Sequence, residues 1–173
     1  SLLEKLSKKL ELSRKEQIEK KDFTSRINEI CKTAFELKVP LFIDAEESWI
    51  QTAIDEIIRD MMRKFNREKA WIFNTIQLYR NDRITYLKEI LMDAKNNNYF
   101  VGLKLVRGAY HQQEIERANS LNYPCPVHRK KQDIEGVTLV AMVKLIANRK
   151  CHVTHAARCV SYCINKILLL NIN

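Results

Sequence analysis

The stretch "VGLKLVRGAYHQQEIERA", residues 101–118, changes character halfway along. Its first half reads as a buried strand carrying one lysine, and its second half as a helix. A lysine in an apolar strand costs several kcal/mol to bury without a partner. Lys104 is therefore expected to point into a cavity holding an anion, a carboxylate or an electron-rich ligand. An internal salt bridge, for instance to Asp44, would satisfy it equally.

The same alternation repeats on both sides. Upstream, "LFIDAEE" (41–47) is a short apolar run that ends abruptly in acids, as a buried parallel strand does where it emerges at a functional surface. "SWIQTAIDEIIRDMMRKFNREK" follows, with Ile50, Ile54, Ile57, Ile58, Met61 and Phe65 at helical spacing, and the Met pair reads as core. "AWIFNTIQLY" (70–79) is a second strand, and "NDRITYLKEILMDAKNNN" a helix with Ile84, Leu87, Leu91 and Ala94 inward. Downstream lie a loop with Pro124 and Pro126, a helix over about 135–148, a weaker strand "KCHVTH" (150–155) and a helix over about 157–168. Residues 1–21 read as one charged helix with Leu2, Leu3, Leu6 and Leu10 on one side. A second helix, about 23–37, places Ile27, Ile30, Cys31 and Ala34 on one face.

Four strand–helix units in succession predict right-handed crossovers and a parallel sheet with helices outside. Doubly wound and (β/α)8 folds both fit. No GxGxxG follows any strand, which counts against a Rossmann sheet. Four units in 173 residues are about half of a complete barrel. The expected organisation is an N-terminal helical segment, 1–37, and a partial (β/α)8 barrel, 38–173.

Bulk properties narrow the classes. No apolar run approaches the roughly 18 residues of a membrane span. The net charge is +9, yet the densest charged run mixes glutamates with lysines at helical spacings, a solvated face rather than a nucleic-acid patch. Five cysteines form no paired framework and no CxxC. Cys151, His155, Cys159 and Cys163 fall four apart and would line a helix, but "CHVTH" reads as a strand and breaks that stripe; no metal is expected. The chain begins at Ser1 without a signal-peptide pattern, which reads as a processed chain or a fragment.

In both fold options a ligand sits beyond the C-terminal ends of the strands. Gathered there are Asp44, Glu46 and Glu47; Gln77 and Tyr79; Lys104, Arg107 and Tyr110; His152 and His155. Each has an ordinary reading as well. Asp44 could N-cap the next helix, Gln77 could hydrogen-bond a neighbouring loop, Tyr110 could pack at a rim, and His155 could be a satisfied half-buried histidine.

"LFIDAEES", then "FNTIQLYRND", then "GLKLVRGAYHQQEIERA" resemble the proline dehydrogenase (proline oxidase) family, with 33 residues from Asp44 to Gln77 and 27 from Gln77 to Lys104. The likeness is strong over roughly 38–124, fades through "PVHRKKQDIEGVTLV" and returns weakly at "VTHAAR". It implies a (β/α)8 barrel holding FAD that oxidises L-proline to 1-pyrroline-5-carboxylate and passes electrons to a quinone. Lys104 matches the family's basic residue beside the flavin N5, Gln77 a glutamine bonding the flavin, and Val106 and Gly108 backbone positions against the cofactor. Asp44 and Tyr110 match active-site residues near proline. Thr154 and His155 match residues at the FAD phosphates, where Ala156 replaces the family asparagine. The family's upstream lysine and its downstream arginine pair are expected outside these residues, so the chain by itself should hold FAD poorly. A catalytically inactive flavin- or ligand-binding remnant is the alternative. The resemblance also implies a cytoplasmic protein with peripheral association at a bacterial inner membrane, the matrix side of the mitochondrial inner membrane being the alternative. Open sheet edges would allow dimerisation.

Overall fold

The computed structural model describes residues 1–45, 47–130, 133–134 and 136, and the backbone of 151–155. Apart from residue 136, the helices expected over about 135–148 and 157–168 lie outside the described residues, as do Glu46 and Ala156. Among the described residues nine elements follow in chain order: α1 (Leu2–Ser7), α2 (Arg14–Glu36), β1 (Leu41–Ile43), α3 (Ser48–Phe65), β2 (Ile72–Gln77), α4 (Arg83–Asn97), β3 (Val101–Val106), α5 (His111–Ser120) and β4 (Cys151–His155). The four strands are parallel and ordered β1-β2-β3-β4, so each crossover advances by one strand. That is the sequential winding of a barrel, not the reversal of a doubly wound sheet. The fold is α/β, part of a (β/α)8 barrel.

Side chains alternate along each strand, and the helix-facing set forms the core. Ile72 and Ile76 of β2 and Val101, Leu103 and Leu105 of β3 pack with Ile54, Ile58, Met62 and Phe65 of α3 and Leu87, Ile90 and Ala94 of α4. Met61 and Met62 are both buried, as their spacing predicts. Fully buried Asn66, just past α3, organises the strand entries. Its Oδ1 accepts from the backbone N–H of Trp71 and of Ile72, each at 2.9 Å, and its Nδ2 donates to the carbonyls of Ile72 and Phe100 at 2.9 and 3.0 Å. One amide thereby sets the start of β2 against the approach to β3.

The N-terminal segment departs from the expected boundaries. The helix read over 1–21 is broken: Lys9 takes φ 54°, and Ser13 opens a new helix through a reciprocal capping box with Glu16. Leu10 falls in the break and is exposed. On α2, Cys31 is fully buried, and burial pushes its thiol up to about 11. Ile27 packs against the core, whereas Ile30 turns out to solvent.

Candidate active site

The face of the sheet opposite α3 and α4 is built in rows. In the lower row the Phe42 and Phe73 rings lie 4.9 Å apart beside Gly102. A Cβ on Gly102 would stand 2.4 Å from the Ile72 carbonyl oxygen and 3.0 Å from Phe73 Cγ, so the row closes only over glycine. One step nearer the strand ends, register places Thr75 beside Lys104 and Lys104 beside Thr154. Asp44 follows Ile43, which pairs with Asn74, and so completes this row.

Within that row a charge pair forms. Lys104 Nζ donates to both carboxylate oxygens of Asp44, at 2.9 and 2.8 Å, and Thr75 Oγ1 donates to Asp44 Oδ1. Burial pushes the Asp44 carboxyl up, but the hydrogen bonds from Lys104 and Thr75 outweigh it and hold the group below the usual carboxylate range. The salt-bridge reading of Lys104 is therefore realised. Both members remain accessible, with side chains 29% and 49% exposed, so the pair faces an open space. Asp44 is not the cap of α3. That position falls to Glu47, which makes no side-chain cap bond. Instead Glu114 of α5 accepts from the backbone N–H and the hydroxyl of Ser48, each at 2.6 Å.

Gln77 ends β2 fully buried. Its Nε2 donates to the Ala45 carbonyl, to Gln51 Oε1 at 3.1 Å and to its own strand at Thr75 O, 3.3 Å, so it does reach the loop after β1. Its Oε1 has no partner among the described residues. A buried acceptor left unpaired costs about 1–3 kcal/mol.

The other expected residues spread out. Val106 O accepts from Leu78 N at 2.9 Å and is engaged in the sheet. Gly108 takes φ 107°, a region L side chains rarely enter, and a Cβ there would lie 1.6 Å from the Tyr79 ring. The space beside this glycine is filled by Tyr79, which is buried and does not stand at the mouth. Arg107 and Tyr110 are exposed. Tyr110 occupies the N-cap of α5 and makes no side-chain cap hydrogen bond there. On β4 register places His152 beside Gly102, Thr154 beside Lys104 and His155 beside Leu105. Among the described residues no three His, Cys, Asp or Glu side chains gather as a metal site; Cys159 and Cys163 lie outside them.

A proline dehydrogenase family model matches residues 2–172. The chain belongs to the proline dehydrogenase family. It is 47% identical over 103 residues to proline dehydrogenase 1, mitochondrial, of Drosophila melanogaster, a match that covers 60% of this chain and 15% of that one. To the Homo sapiens protein of the same name it is 37% identical over 113 residues, covering 65% and 19%. Its fold is similar to a crystal structure of proline utilization A from Bdellovibrio bacteriovorus inactivated by N-propargylglycine, with TM-score 0.76 and 22% identity over 89% of this chain and 17% of that one. The chain thus spans under a fifth of each of these proteins.

In this proline dehydrogenase family member the residues missed from sequence are polar ones in apolar company. Thr75 and Asn74 interrupt the run "AWIFNTIQLY" as Lys104 interrupts its own. Gln51 and Asp55 stand one turn apart on the buried face of α3. Asp55 accepts from Gln51 Nε2 at 2.9 Å, Asn74 Nδ2 at 2.8 Å and Arg83 Nη1 at 2.9 Å, and Asn74 Nδ2 also donates to Tyr86 OH at 2.9 Å. Polar side chains that recur on an apolar helix face were the available signal.

Proposed function

We propose that the protein of which this chain is part oxidises L-proline to 1-pyrroline-5-carboxylate with FAD as cofactor, electrons passing on to a quinone. The Lys104–Asp44 pair, which spans β2 from β3 to the end of β1 on the site face of the sheet, carries the reading. When bound, FAD supplies the two-electron acceptor for the hydride on the ring carbon beside proline's nitrogen, while the nitrogen gives up a proton. Lys104 and Gln77 would hold the flavin. The unpaired Gln77 Oε1 and an accessible ammonium are groups that a polar, electron-rich ring can satisfy.

The side chains have distinct tasks. Lys104 keeps three N–H donors on a cation that Asp44 and Thr75 fix in place, and a fixed cation favours negative charge developing beside it. Asp44, held ionised, orients that cation from the proline side. Tyr110 lines the proline site from the start of α5. Val106 and Gly108 meet the cofactor through backbone alone, since Tyr79 takes the room beside Gly108. Thr154 and His155 serve its phosphates. Residues 1–37 are read as a helical segment preceding the barrel part, 38–173.

Both relatives are named as mitochondrial proteins, which favours the matrix side of the inner membrane over a bacterial cytoplasm. Association with that membrane is proposed as peripheral; no helix of the described residues is long and apolar enough to cross a membrane. Open sheet edges favour a second copy as neighbour. The test is spectral. Purified protein carrying this chain should show a yellow flavin spectrum that L-proline bleaches without oxygen. A colourless protein unresponsive to added FAD overturns the proposal.

A further inference from the structure

We propose that Gln51 is a positioning residue for the candidate site, deciding which end of the Gln77 amide is offered to a ligand. The inference rests on the reading of Gln77 as a ligand-contacting residue. It starts from Asp55, 3% exposed and paired with Arg83, itself 2% exposed, at 2.9 Å. A carboxylate in an ion pair only accepts hydrogen bonds. The Gln51 amide must therefore turn its nitrogen to Asp55, as it does at 2.9 Å, and its Oε1 away. That Oε1 is the acceptor for Gln77 Nε2 at 3.1 Å. Polarity passes from a buried ion pair through one glutamine to the next.

A reversed Gln77 amide would set its oxygen against Gln51 Oε1 and the Ala45 carbonyl, two acceptors with no proton between them. Of these two anchors, Ala45 belongs to the loop after β1, while Gln51 is fully buried on α3 and tied to the ion pair. Gln51 is the fixed one. The consequence is specific: what remains of Gln77 for a ligand is an acceptor, so the group it selects is an N–H or O–H donor. On an oxidised flavin ring the one N–H donor is at N3.

Two measurements on the whole protein that contains this chain separate this from the flavin reading. Without FAD, exchange of the Gln77 side-chain NH2 protons is followed by 1H–15N NMR in wild type, Gln51→Met and Gln51→Glu. Gln51→Met should speed exchange of one of the two protons by about tenfold, the effect of losing one hydrogen bond. Gln51→Glu should match wild type only while its new carboxyl is protonated, able both to donate to Asp55 and to accept from Gln77. Unchanged exchange in Gln51→Met, or pH-independent behaviour of Gln51→Glu, overturns the positioning role. In the FAD titration, Gln51→Met and Gln77→Met should each raise Kd by about tenfold and the double variant no further. FAD methylated at N3 should bind wild type as weakly as FAD binds Gln77→Met. If Gln77→Met leaves the Kd unchanged, or no variant binds FAD, the reading of Gln77 fails while the exchange result still judges Gln51.

Discussion

Lys104 reaches across to Asp44 so that one ammonium spans both oxygens of one carboxylate, at 2.8 and 2.9 Å, with Thr75 closing the third side. A carboxyl depressed in the folded state stabilises the fold above its unfolded pKa, about 3.9, and loses that contribution as pH falls through the lower folded value. Asp44 is depressed although burial alone would raise it. Carboxyl 13C shifts should therefore give Asp44 a midpoint below about 3.9. Lys104→Met should raise that midpoint and remove the associated loss of stability at low pH. An unmoved midpoint would mean that Lys104 does not set the charge of this row. Because Asp44 is half exposed, the stability effect should be modest.

Gly108→Ala should destabilise the chain by about 1–3 kcal/mol in urea denaturation, from its backbone and the ring beside it. Its φ of 107° suits glycine, and a Cβ meets the Tyr79 ring at 1.6 Å. In a Tyr79→Ala background the steric part should vanish and the backbone part persist. Equal penalties in both backgrounds would show that the ring yields freely.

Glu114→Ala should free the first turn of α3, since Glu114 accepts both donors of Ser48 from another helix. The expected cost is about 1–2 kcal/mol, that of part-buried donors losing a charged acceptor. Hydrogen exchange should accelerate at Ser48 while the middle of α3 stays protected. Uniform acceleration along α3 would instead mean that the contact holds the whole helix.

The sequence made some of these relationships legible and hid others for definite reasons. Lys104 stood out because a charge in an apolar run has a cost that something must offset. The helical break at Ser13 was carried by an ordinary capping box, Ser13 to Glu16, lost in a run where glutamates and lysines recur at every helical spacing. Asp44 looked like a cap because it is an acid just before a helix. The acid that does that work is Glu114, 66 residues beyond Ser48, and local spacing cannot announce so distant a partner. At Gly108 the backbone conformation and the Tyr79 ring from the neighbouring strand end both call for glycine, a constraint that only three dimensions show.

Asn66→Ala is the sharpest test of how the strands are held in register. The Asn66 side chain makes four hydrogen bonds, all to backbone at the entries to β2 and β3, and it is fully buried. Truncation strands two N–H groups and leaves two carbonyls short of a partner, at about 1–3 kcal/mol for each group left unpaired. A loss of at least about 3 kcal/mol is expected on that basis. Asn66→Asp keeps the acceptor for Trp71 and Ile72 but turns a second oxygen toward the carbonyls of Ile72 and Phe100. It should recover only part of the loss at neutral pH and more as the new carboxyl is protonated and can donate. Because register sets Thr75 beside Lys104, a slip at Asn66 would also misplace the charged row. Asn66→Ala should therefore shift the Lys104 and Asp44 side-chain resonances, although it touches neither. Stability lost with those resonances unmoved would show that Asn66 anchors the loop but not the register.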